Sequence, residues 1–225
     1  MTWAPLFLSL EIATIAMVLS MIIGTGLALL LSWRKLPGRD FVDALVSAPL
    51  VLPPTVLGYY LFTAIGPNSW IGRAWEWLFG SRLVFNFKGA VIAATVGSLP
   101  LVVRSVRVGL DAVEPNLIAA ARTLGARPRR VLVTVTLPLA GPGMIAGAML
   151  GFARALGDYG MTQVVAGARI DGLGLVNTSP ASIYTYDQFI GGHDDAARAM
   201  AIVTTIVGVT ILYVANRMTR RLQRG

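Results

Sequence analysis

The chain has 225 residues, of which 55% are hydrophobic and 13% charged, with a mean hydropathy of +0.68. That balance places it with integral membrane proteins rather than with soluble domains of the same length. Cysteine is absent and His193 is the one histidine, which excludes disulfides and thiolate metal sites. The net charge of +8 comes from bases beside apolar runs without interleaved aromatic residues, which argues against nucleic-acid binding.

Five apolar segments are expected to cross the bilayer as helices of about 20 residues, in one all-α domain covering residues 1–225. The first, residues 8–33, carries no charge from Ile12 to Trp33. Glu11 at its outer end reads as interfacial. The second, 42–66, is uncharged from Ala44 to Ile65 but contains Pro49, Pro53 and Pro54. Three missing donors must kink or open a helix near mid-membrane, which is tolerated where freed carbonyls meet protein or a water-lined cavity. Two readings stay open: a broken helix lining a pathway, with Thr55 as a polar contact, or a kink that only shapes packing.

Residues 67–87 hold Trp70, Trp75, Trp77 and Phe79, the composition of a short helix lying in the interface. The third segment, Gly89–Val103, is short of a span and reaches one when Lys88 and Arg104 snorkel. The fourth runs from Val131 to Leu156 and is punctuated by Pro138, Gly141, Pro142, Gly143, Gly147 and Gly151, the small residues of a packing face. Near its end Arg154 and Asp158 are four apart and able to pair. Ionisable groups at this depth mark either a transport route or a buried pair. A long Gly-rich connection, 159–195, precedes the fifth segment, Ala199–Asn216, and with Asp171, Asp187, Asp194 and Asp195 offers a surface for an external partner.

Between the third and fourth segments lies a polar, Arg-dense island, Glu114–Pro138. Pro115 suits the first turn of a helix and Glu114 places negative charge at its positive end. Leu117, Ala120, Ala121 and Leu124 recur at helical spacing as a small apolar face. Gly125 is expected to end the helix in a left-handed turn, with Arg127, Arg129 and Arg130 complementing the C-terminal dipole. A helix of about ten residues with a compact apolar face on a basic surface is suited to docking in a groove of another protein.

Orientation follows from the bases. Arg34, Lys35, Arg39, Arg104, Arg107, Arg122, Arg127, Arg129, Arg130, Arg217, Arg220, Arg221 and Arg224 border one side. Arg73, Arg82, Lys88, Arg169 and Arg198 border the other. Thirteen against five places the N-terminus outside, the C-terminus in the cytoplasm, and the island beside the cytoplasmic nucleotide pool.

The island also carries a resemblance. Ala120, Ala121, Gly125, Val135, Leu137 and Pro138 fall at the spacing of the loop signature E-A-A-x3-G-x9-I-x-L-P of ABC importer permease subunits, with Ala119 for the leading Glu and Val135 for the Ile. The segments P-L-V-L-P-P-T-V, A-A-R-T-L-G-A, L-P-L-A-G-P-G and F-A-R-A-L-G-D-Y-G resemble molybdate importer permeases in particular. Sulfate permeases share the loop but differ in the proline cluster. The resemblance implies a type I ABC importer permease fold with a cytoplasmic coupling helix at about 115–125. It implies that Ala119, Ala120, Ala121, Arg122, Thr123, Leu124 and Gly125, with Leu137 and Pro138, engage an ATP-hydrolysing subunit. It further implies a homodimer, a periplasmic oxyanion-binding protein, and alternating access driven by ATP and Mg on the partner. Pro49, Pro53, Pro54, Thr55, Arg154 and Asp158 are the candidate pathway residues.

No G-x-x-x-x-G-K-[ST] phosphate loop and no paired catalytic constellation occur in the sequence, so no cofactor and no hydrolytic step are expected on this chain. Tungstate or sulfate are the alternative cargoes. An ATP-independent carrier would show repeated halves, and a membrane scaffold would have no use for the proline-broken segment.

Overall fold

A computed structural model of the chain describes residues 3–33, 37–167, 170–172 and 177–222. Arg34, Lys35, Arg169 and Arg224, used above for orientation, lie outside the described residues. The described elements are helical apart from turns and one isolated bridge between Ile170 and Thr178.

Helix α1, Ala4–Ser32, has Pro5 in its first turn, where a missing N–H costs nothing. Its 29 residues reach ~44 Å, enough to cross a bilayer with tilt. Helix α2, Arg39–Ser47, leads through a single 3-10 turn at Ala48–Leu50 into α3, Pro54–Ile65. The axes of the two halves differ by 118°. The second segment is therefore two short helices and not one kinked rod. Pro54 forces the residue before it out of the helical region, and Pro53 adopts φ −55°, ψ 137° before α3 begins.

Helix α4, Trp70–Phe79, is the short helix expected between the second and third segments. Ser69 Oγ accepts the N–H of Gly72 at 2.8 Å, and Trp70 and Trp77 are exposed. Helix α5, Phe87–Asp111, is longer than hydropathy suggested. Asn86 caps it by accepting the Gly89 N–H at 3.1 Å, and Lys88 reaches out to Ser81 Oγ at 2.8 Å and over the Trp75 ring. At its other end the helix continues through two arginines because both are engaged by α2. Arg107 Nη1 donates to Asp43 Oδ1 at 2.6 Å and Arg104 Nη2 to Ser47 Oγ at 3.2 Å.

The fourth segment is also broken. After α6, Pro115–Thr123, come α7, Pro128–Val131, a π-helical turn at Leu132–Thr136, α8, Leu137–Leu139, and α9, Gly141–Leu156. Pro138 and Pro142 remove two donors on either side of Ala140, and the path bends there by 66°. The expected 159–195 loop contains two further helices, α10, Gly160–Ala166, and α11, Ala181–Ile190. Helix α12, Asp194–Leu222, closes the chain. Three single helices, α1, α5 and α12, are long and apolar enough to cross, and the number reaches five when each bent pair makes one crossing.

Helix α5 is the axis of the packing. Two-thirds of its most apolar stretch (67%) is buried in the chain, against 11% for α12, so α5 sits inside and α12 presents Ile202, Ile206 and Val209 outward. Helices α1, α5 and α9 pack around Val102, whose methyls occupy the spaces left by Gly24 and Gly151. Helices α5 and α9 cross backbone on backbone, and a Cβ on Gly143 would stand 2.6 Å from the Gly109 Cα.

Candidate functional site

The end of α9, the start of α10 and the start of α3 line an open cavity of about 590 Å³. Gly160 and Gly58 make this meeting possible. A Cβ on Gly160 would lie 3.0 Å from Pro54 Cβ, and one on Gly58 would lie 3.1 Å from both Met161 Cα and Val164 Cβ. The close approach of α3 to α10 brings Pro54 and Thr55 across from Arg154 and Asp158, and all four line the cavity. Two stretches about a hundred residues apart thus form one wall. Pro49 and Pro53 do not line it. Pro49 is half-buried in the 3-10 turn, and Pro53 starts α3 by accepting the Leu57 N–H at 3.0 Å.

Arg154 Nη1 donates to Asp158 Oδ1 at 2.8 Å, the pairing that their spacing of four anticipated. Sequence reasoning missed what holds the carboxylate. Thr162 donates both its backbone N–H, at 2.9 Å, and its hydroxyl, at 2.8 Å, to Asp158 Oδ2. The Ser182 hydroxyl donates to the Asp158 carbonyl at 2.7 Å, tying in α11. Thr162, four residues on from Asp158, was within reach of a spacing argument. Ser182 is 24 residues distant and was not. Arg154, Asp158, Thr55 and Tyr159 are the polar residues of a lining that is otherwise proline, alanine and glycine.

The second site is α6. Pro115 occupies its first position and Glu114 precedes it in extended geometry. At the other end the Gly125 N–H bonds the Arg122 carbonyl at 2.9 Å and the Ala126 N–H the Ala121 carbonyl at 3.1 Å, a Schellman closure with Gly125 at φ +81°. Ile118, which the periodicity had not singled out, turns inward against the cluster containing Leu110 and Val113. Ala119, Ala120, Arg122, Thr123, Leu124 and Gly125 are exposed, Ala121 is half-buried, and Leu124 is 87% exposed. Leu137 is half-buried and Pro138 exposed in α8, the short helix before the bend of the fourth segment. The apolar face read from the sequence is thus divided, with Leu117, Ala120 and Leu124 outward.

A multi-span helical chain with a proline-broken crossing beside a cavity that holds an arginine, and an exposed short helix among arginines, has the make-up of the membrane subunit of an importer. The family described as "Binding-protein-dependent transport system inner membrane component" matches residues 6–225, and the chain belongs to it. It is 41% identical over 211 residues to the molybdenum transport system permease protein ModB of Escherichia coli K12, covering 93% of this chain and 90% of that one. It is 37% identical over 222 residues to ModB of Haemophilus influenzae, covering 97% and 95%. A probable sulfate transport system permease protein of Zygnema circumcarinatum is 32% identical, over 91% of this chain and 69% of its own. Among solved structures, a chain of the inward-facing methionine ABC transporter MetNI superposes with a TM-score of 0.74 at 19% identity, covering 96% and 94%. A chain of an alginate ABC importer reaches 0.69 at 16%, covering 97% and 78%. At those identities the likeness is one of fold, and the fold is that of a type I ABC importer permease.

Proposed function

We propose that the chain is the membrane subunit of an ATP-driven importer of molybdate. The observation that carries the cargo is the 41% identity, over nearly the whole of both chains, to a molybdenum permease. Oxyanion delivery comes from a periplasmic binding protein, and ATP with Mg is handled by a cytoplasmic subunit. Two copies of the chain face each other in the inner membrane, with N-termini outside and C-termini in the cytoplasm, the orientation that the basic residues favour.

In this reading α6 is the coupling helix. Its Schellman turn fixes the direction of the chain after Leu124, and its outward small side chains leave a surface that a groove in the ATPase can cover. Nucleotide binding and hydrolysis shift α6, and with it α5, from which it departs after only Ala112 to Glu114. The partner biases a two-state membrane element through contacts that differ between the states. The cavity at Thr55 and Arg154 lies on the route of the anion. Sulfate is the second reading, favoured by the likeness to the sulfate permease.

The test is ATPase activity of the purified complex in lipid, with binding protein loaded with molybdate, tungstate, sulfate or nothing. Stimulation by molybdate and tungstate with little response to sulfate is the expected result. Equal stimulation by sulfate would shift the assignment to the second reading, and no co-purifying ATPase would remove the importer reading altogether.

A further inference from the structure

Among the described residues Asp158 is the only charged side chain that is buried, and its ion pair is asymmetric. The carboxylate side chain is 1% exposed while that of Arg154 is 27% exposed, on the cavity wall. A pair serving only to neutralise itself would be closed on both sides. Here the cation stands at the front and its counter-ion behind it.

The carboxylate has no freedom to turn. Oδ1 accepts from Arg154 and Oδ2 accepts twice from Thr162, while the backbone carbonyl is held by Ser182. The guanidinium is fixed as well. It lies along Gly97 of α5, where a Cβ would be 3.5 Å from Nη2 and 3.7 Å from Cζ. One edge is held by Asp158, a face is backed by the bare glycine, and the remaining N–H groups of the five-donor fork are available to the cavity.

We infer that Asp158 is a positioning residue for anion passage: it presents Arg154 to the cavity as an oxyanion contact and weakens that contact enough for release. This rests on the importer reading above. A lone guanidinium would hold a divalent oxyanion more tightly than one whose charge is offset, whereas a conducting site must bind well enough to admit and weakly enough to let go. The carboxylate behind the cation offsets its field along the route without meeting the anion itself.

The experiment uses the complex with its ATPase in lipid, comparing the wild type with Asp158→Asn, Asp158→Glu, Thr162→Val and the exchanged pair Arg154→Asp/Asp158→Arg. Retention of molybdate is measured without binding protein, and ATP-driven uptake with it. Asp158→Asn is expected to retain molybdate at concentrations about tenfold lower and to take it up about tenfold more slowly, the scale of a lost charged hydrogen bond. Asp158→Glu restores both. The exchanged pair keeps the ion pair but moves the cation to the buried position, and uptake is lost. Thr162→Val leaves every charge in place and removes only the hydroxyl that helps to hold Oδ2, so it reports even where the charge variants do not fold; a several-fold fall in uptake is expected. Wild-type retention and uptake in Asp158→Asn, full uptake by the exchanged pair, or unchanged uptake in Thr162→Val would each overturn the inference. A wild-type complex that ignores molybdate-loaded binding protein would sink the importer reading instead, which keeps the two failures apart.

Discussion

The second and fourth crossings are both broken by proline, yet the chain holds the two breaks by different means. At the fourth, the 66° bend is packed against α5, with Gly143 on Gly109 and no room between backbones. At the second, the 118° break leaves Val51, Pro53, Pro54 and Thr55 exposed, and the preceding helix is tied to α5 through two arginine side chains. Irregular backbone at membrane depth is tolerated against protein or beside a wet cavity. The break of the fourth crossing lies against protein, while the break of the second borders the cavity. Both breaks are packed at glycines, the second through Gly160 against Pro54 and Thr55, so the difference lies in the exposed turn before Pro54 and in the arginine side chains that tie α2.

The comparison can be broken most severely at Gly143. Gly143→Leu forces α9 off α5, at a cost of about 3 kcal/mol or more, and the expected outcome is loss of the monodisperse peak in detergent. A folded Gly143→Leu protein would show the crossing to be looser than the backbone distances indicate. Gly125 separates the two uses of glycine. Nothing lies within 4 Å of a Cβ built there, but φ is +81°. Gly125→Val therefore strains only the turn, by about 1–3 kcal/mol. The protein is expected to fold and to bind its partner while ATP hydrolysis proceeds without uptake. Full coupled transport by this variant would count against α6 as the coupling helix.

Smaller effects test the side-chain ties. Ser69→Ala removes the cap of α4, remote from both breaks, and should cost about 1 kcal/mol. Faster amide exchange confined to residues 69–73 is the expected signature, and a change spreading to α2 would mean that α4 also supports the second break. For the Arg107–Asp43 pair, a double-mutant cycle with Asp43→Asn and Arg107→Gln should give a coupling of about 0.5 kcal/mol in thermal unfolding, since both groups are partly solvated. A coupling of zero would leave Arg104 and Ser47 as the sole polar tie between α2 and α5.

Much of this architecture was legible because its causes are local. Hydropathy sets which segments enter a bilayer, proline removes donors wherever it stands, and a glycine after a helical run can take the left-handed turn that ends it. Hence the membrane class, the interruption after Pro49, the short helix at Trp70–Phe79 and the turn at Gly125 could all be read from the chain. The Arg154–Asp158 contact was legible for the same reason, as a spacing of four on one helix.

What the sequence could not settle depended on contacts between distant segments. Whether three prolines bend a helix slightly or turn it by 118° depends on what the second half can pack against, and that partner is Gly160, about a hundred residues on. Hydropathy alone ended the third segment near Val103. The helix runs on to Asp111 because Arg104 and Arg107 find Ser47 and Asp43, over fifty residues earlier. The 159–195 stretch read as a loop because short helices packed on neighbours need no long apolar run of their own. Most of all, the sequence could pair Arg154 with Asp158 but could not say which of them faces the cavity. Burial is a property of the assembled helices, and only their packing places the carboxylate behind the cation.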